Sequence, residues 1–136
     1  MKLYYRIRNA IRYKYWDFRA RCQRFKRGYS YGDVWEMFNW FIHTVKPMLV
    51  HLRDHGCGIP IEFENDEKGW HDTLTDMISC LNMMDEDKAK NILGFDSFDK
   101  RVRMTKEDYE RYYRIMEDNK NRFFELFSKH FYNLWD

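Results

Sequence analysis

The sequence predicts an all-α fold, a bundle or orthogonal array of four to five helices with long first and last members. Apolar residues recur every three or four positions over three long segments, the period of one helical face. Six Gly and two Pro punctuate 136 residues, too few for the turns of a multi-stranded sheet. A hydrophobic content of 44% with 19% aromatics supplies a core for a chain of this length. The length predicts a single domain over 1–136. Within it, 1–27 reads as a basic amphipathic helix, 28–87 as a motif-bearing helical core, and 88–136 as a loop and long C-terminal helix.

The first helix is predicted over 3–27, with Leu3, Ile7, Ile11, Tyr15, Phe18, Cys22 and Phe25 on one stripe and Gly28 ending it. Ser30 and Asp33 stand in capping-box spacing. They open a second helix running to His55, with Val34, Phe38, Phe41, Ile42, Val45, Leu49 and Leu52 inward. Pro47 lies inside it and should kink or split it near Lys46. Residues 56–68 read as a loop that ends in acids. A third helix, 69–84, carries Trp70, Leu74, Met77 and Leu81. Asp85, Glu86 and Asp87 close it poorly, because acids oppose the dipole at a C-terminus. A short helix to Leu93 is compatible with the next stretch. Thr105 with Asp108 starts the last helix, whose stripe is Tyr109, Tyr112, Met116, Phe123, Phe127, Phe131 and Leu134. The expected buried set is Phe38, Phe41, Ile42, Val45, Leu74, Met77 and Phe123.

Charge is distributed very unevenly. Segment 1–27 holds ten Lys or Arg and one acid, Asp17, a formal +9; segment 28–136 holds 14 basic and 21 acidic side chains, a formal −7. A second face of the first helix, about 100° from the apolar stripe, carries Tyr5, Arg8, Arg12, Trp16 and Arg19 at steps of three or four. Arginines interleaved with rings suit anions and stacked bases. The alternative reading is a solvated cationic face with Trp16 packed on a neighbouring helix. The expected partner is anionic: an acidic protein surface, a nucleotide or nucleic acid. Homo-oligomerisation is compatible with the sequence. The three cysteines, Cys22, Cys57 and Cys80, have no disulfide-framework spacing and suit a reducing compartment. The N-terminus lacks the apolar run of a signal peptide, and no run is long enough for a membrane span. The expected location is the cytoplasm, with no membrane partner.

Enzyme signatures are absent. There is no P-loop, no G-x-S-x-G and no H-E-x-x-H. His51 and His55, with Cys57 close by, could chelate a metal, but no second ligand pair stands at a recognised spacing. His71-Asp72 matches the metal dyad of helical phosphohydrolases; it would need His43 and Asp96 or Asp99 as partners. Glu62, Glu64, Asp66 and Glu67 could bind Mg²⁺, or simply be solvated. The expectation is a protein with no catalytic residues, no metal and no cofactor.

Arg27-Gly28-Tyr29-Ser30-Tyr31-Gly32-Asp33-Val34-Trp35 is followed by Pro47, then Gly58-Ile59-Pro60, then Trp70. This order resembles a group of small bacteriophage- and prophage-encoded proteins with an R-G-[YF]-x-x-x-D-x-W element and a G-x-P loop before a Trp-led helix. The resemblance covers roughly residues 25–82. It implies a phage protein acting in the host cytoplasm, with counter-defence or host takeover as its setting, and no particular mechanism. Read physically, Arg27, Gly28, Tyr29, Asp33, Trp35, Pro60 and Trp70 are mainly structural: Gly28 for a positive φ, Asp33 as a cap, Trp35 and Trp70 packing across a corner.

Overall fold

A computed structural model describes residues 2–92, 94 and 104–135, and these are all-α, with no strand. Six α-helices follow one another: α1 (Lys2–Arg27), α2 (Tyr31–Trp35), α3 (Met37–His55), α4 (Glu67–Met84), α5 (Glu86–Ile92) and α6 (Lys106–Lys129). The short helix expected to Leu93 is α5, and Leu93 itself lies outside the described residues. Single 3-10 turns stand at Ile61–Phe63 and Phe131–Asn133. The chain divides into two compact units, Met1–Phe41 and Ile42–Asp136.

In the first unit α1 is turned into α2 by a short corner. Gly28 adopts φ +80°, and its N–H donates to the Arg24 carbonyl at 2.8 Å, an ending that favours a residue without Cβ. Ser30 caps α2 through the predicted capping box. Its hydroxyl accepts from the Asp33 N–H at 3.3 Å, and its own N–H donates to the Asp33 carboxylate at 2.7 Å. The single helix expected from Ser30 to His55 is two. Glu36 leaves helical geometry at φ −127°, ψ 53°, and its carbonyl then accepts from Trp40 N–H to begin α3. The chain does not split at Pro47; α3 runs unbroken through it.

The expected α1 stripe is not a core face. Ile11, Phe18 and Phe25 are 64, 66 and 93% exposed, because α2 lies against the side of α1 that carries Gln23 and Arg24. Among the described residues of this unit only Ser30 is buried.

The second unit holds the core. α4 and α6 pack on one another through Leu74, Met77, Ile78 and Leu81 on one side and Phe123 and Leu126 on the other, all buried. At the edge of this interface the Arg122 guanidinium donates to Asp76 at 3.1 Å. Of the expected buried set, Ile42, Leu74, Met77 and Phe123 are buried, Phe41 and Val45 are half-buried, and Phe38 is half-exposed on the first unit. Asp85 does not close α4 badly. Its carboxylate accepts from Lys88 N–H at 3.2 Å and so caps α5, where a negative charge suits the dipole. In the loop before α4, Asp66 caps that helix by accepting from Gly69 N–H at 3.0 Å, and Glu67 occupies its favourable first turn.

Trp70 is buried in the second unit between Phe63 and His130, ring centroids 5.4 and 5.7 Å away, and Trp35 is 90% exposed. Pro60 is buried and its carbonyl accepts from Phe63 N–H. Gly58 sits close under the Trp135 ring: a Cβ there would stand 3.0 Å from it, so a larger residue would require the ring to shift. The G-x-P loop therefore seats a residue from the C-terminal end of the chain.

Candidate anion-binding site

Tyr5, Arg8, Arg12, Trp16 and Arg19 all lie on α1. Arg8 stands over the Tyr5 ring at 5.2 Å, and Arg19 over the Trp16 ring at 5.5 Å. Arg12 lies between these two pairs and is exposed. Tyr5 and Trp16 are about half exposed. Two cation–π pairs thus hold arginine and ring together on a solvent-facing surface, where each pair contributes on the order of 0.5–1 kcal/mol.

The C-terminal half of this face borders a groove of about 560 Å³ between α1 and α2. Tyr13, Trp16, Arg19 and Gln23 line it from α1, and Tyr31 and Trp35 from α2. Sequence reading singled out Trp16, Arg19 and the motif separately and did not join them. Tyr13, Gln23 and Arg24 were missed, because the signal that places them is the chain reversal at Gly28. The Gln23 side-chain oxygen accepts from the Tyr31 N–H at 3.0 Å, which holds α2 against α1.

Internal pairing settles the acids of the groove. Arg24 grips Asp33 with two hydrogen bonds, 2.6 and 2.9 Å. That grip, with the Ser30 N–H and hydroxyl, holds the Asp33 carboxyl far below its ordinary range, while the Arg24 guanidinium is pushed up chiefly by its hydrogen bond to Asp33. Asp17 pairs with Arg21 at 2.8 Å. Arg19 has no carboxylate within ion-pair distance among the described residues. Arg27 stacks over Tyr29 at 4.8 Å and Tyr31 at 4.2 Å, and its Nε donates to the Tyr29 carbonyl. The Tyr31 phenol is lowered below its usual range, first by hydrogen bonding with Arg27, then by that charge, with a smaller share from Arg19. Arg27, Gly28, Tyr29 and Asp33 therefore build the corner, and Trp35 projects from it.

The other candidate chemistry does not assemble. Among the described residues no three His, Cys, Asp or Glu side chains converge to hold a metal. His51 and His55 are 5.0 Å apart by ring centroid, but the Cys57 thiol is turned toward the His55 carbonyl. His43, His71 and Asp72 are exposed, and Asp96 and Asp99 lie outside the described residues. A larger groove, about 750 Å³, lies within the second unit between α3 and the C-terminal segment. Its walls are mainly apolar, among them Met48, Leu52, Phe131 and Trp135, with His51 as the one ionisable residue and no Lys or Arg. No helix among the described residues is long and apolar enough to cross a membrane. Comparison with protein-family models, curated proteins and solved structures found no match.

Proposed function

We propose that this chain is a non-enzymatic binding protein that captures an anionic partner on the Tyr5–Arg8–Arg12–Trp16–Arg19 face of its first unit. One observation carries the reading. The strongest local charge in the chain, +9 over positions 1–27, sits on a helix whose single acid is already paired to Arg21. Among the described residues only Arg21 and Arg24 of this segment meet a carboxylate, that of Asp17 and of Asp33, so most of its field is available to steer an anion. The resemblance of residues 25–82 to small phage proteins supplies the setting: an accessory protein in the host cytoplasm that acts on a host partner or signal molecule in counter-defence or takeover.

Binding to immobilised heparin, a generic polyanion, tests the face. Arg8→Glu with Arg12→Glu should abolish retention, and wild-type retention should fall steeply as salt rises. The helical signal and melting temperature should change little, since both side chains are exposed. A stable double variant retained as strongly as wild type would remove this face from the reading. A large fall in melting temperature would assign the face to the fold instead.

A further inference from the structure

An acidic protein surface needs arginines; it does not need four exposed rings around one recess. Tyr13, Trp16, Tyr31 and Trp35 are 76, 51, 62 and 90% exposed and line the same groove. None of them belongs to the apolar core. Flat rings left in water beside a cation are what a nucleobase stacks on, and every base has a π-face to offer.

The polar groups fit the same ligand. Arg19 has no carboxylate partner among the described residues and stands over Trp16, so it can meet a phosphate beside a stacked base. Gln23 spends its side-chain oxygen on the Tyr31 N–H. That bond fixes the sense of the amide and leaves the NH₂ as a donor, the complement of a base carbonyl. The groove volume, about 560 Å³, falls within the range of roughly 300–1,000 Å³ usual for ligand sites.

The length of the face selects a strand over a free nucleotide. The Tyr5–Arg8 pair lies eleven positions before the Trp16–Arg19 pair, about 16 Å along the helix, with Arg12 between them. A mononucleotide could fill the groove and leave the rest idle. A duplex keeps its base faces within its own stack.

We propose that the α1–α2 groove holds a nucleobase of a single-stranded nucleic acid whose phosphates run along Arg19, Arg12 and Arg8. This rests on the anionic-partner reading above and narrows it to one polymer. Fluorescence anisotropy of the full chain tests it with four probes: a labelled oligothymidylate of about a dozen nucleotides, an abasic strand of the same length, a blunt duplex and heparin as competitor. Oligothymidylate should bind at least about tenfold more tightly than the abasic strand. Trp16→Ala should weaken oligothymidylate roughly 5- to 150-fold, the range of base–aromatic stacking. It should weaken the abasic strand far less, since Arg19 keeps its charge when the ring beside it is lost, and leave the helical signal unchanged, and Trp16→Phe should restore most of the loss. Equal affinity for the two single strands, or an equal loss on both in Trp16→Ala, would overturn the base site and leave the anionic-partner reading standing. Tighter binding to the duplex would likewise overturn it. Failure of every polyanion, heparin included, would overturn both.

Discussion

The two units of this protein are held together by different physics. Met1–Phe41 has ten basic and three acidic residues, two helices, and Ser30 as its single buried residue among those described. Its order comes from a polar corner: the Gly28 turn, the Ser30–Asp33 capping box and the Arg24–Asp33 pair. Ile42–Asp136 has 14 basic and 19 acidic residues and a core of Leu74, Met77, Leu81 and Phe123 at 0–1% exposure. Burial of apolar area, at about 25 cal/mol per Å², stabilises the second unit. The first has few such contributions, and its rings and cations remain at the surface. A region with little core and much uncompensated charge is where a partner's contribution to order matters most.

Core truncation sets the largest expected effect. Phe123→Ala should destabilise the chain by about 3–5 kcal/mol in denaturant unfolding, since Phe123 is fully buried against α4. Phe38→Ala, half-exposed on the first unit, should change stability by less than about 1 kcal/mol. Equal losses would mean that the first unit has a core after all, and the contrast between the units would break.

The polar corner comes next. Asp33→Ala removes the cap of α2 and the Arg24 partner. A loss of about 1–2 kcal/mol is expected, read as early melting of helical signal in a peptide of residues 1–41 or as faster amide exchange in α2 of the full chain. Because the Asp33 carboxyl is lowered in the fold, its contribution is complete above the ordinary carboxyl range and disappears as pH falls through that range and below. Unchanged exchange in α2 would show that the corner is held by something else.

The smallest effect sharpens the view of the second unit. His130 is 2% exposed, closes α6 and packs on Phe63 and Trp70. Its Nδ1 lies 3.8 Å from Glu62, beyond hydrogen-bond reach. Burial, with the Lys129 charge, lowers its affinity for a proton below the ordinary value, against a smaller pull from Glu62. The unfolded chain therefore binds the proton more readily, and stability should decline as pH falls below about 6.5. His130→Phe should remove that slope while leaving stability at pH 8 within about 1.5 kcal/mol. A slope that survives the substitution would place the titration elsewhere.

Much of the candidate site was legible in residue order because helical period is a local property. Tyr5, Arg8, Arg12, Trp16 and Arg19 share a face on any straight α-helix, and the structure pairs Arg8 with Tyr5 and Arg19 with Trp16. The capping boxes at Ser30 and Thr105 were equally local and are both formed. What failed was inference about which face meets protein. The Ile11–Phe18 stripe reads as core by period, yet periodicity reports only that apolar side chains are aligned.

Residue order alone carried the helical class, the Ser30 and Thr105 caps, the imbalance of charge between segment 1–27 and the rest, and the ring–arginine alternation on α1. These follow from backbone hydrogen bonding and from side-chain spacing within a few turns. Only tertiary structure decided that Gln23 and Arg24 meet Tyr31 and Asp33 around the Gly28 turn, so that Trp16 and Trp35 line one groove. It likewise decided that Trp70 belongs with His130, far along the chain, and that Gly58 seats Trp135. Those pairings depend on where the chain reverses and which surfaces then compete for burial. That competition is won by summed packing over distant segments, a quantity no local spacing encodes.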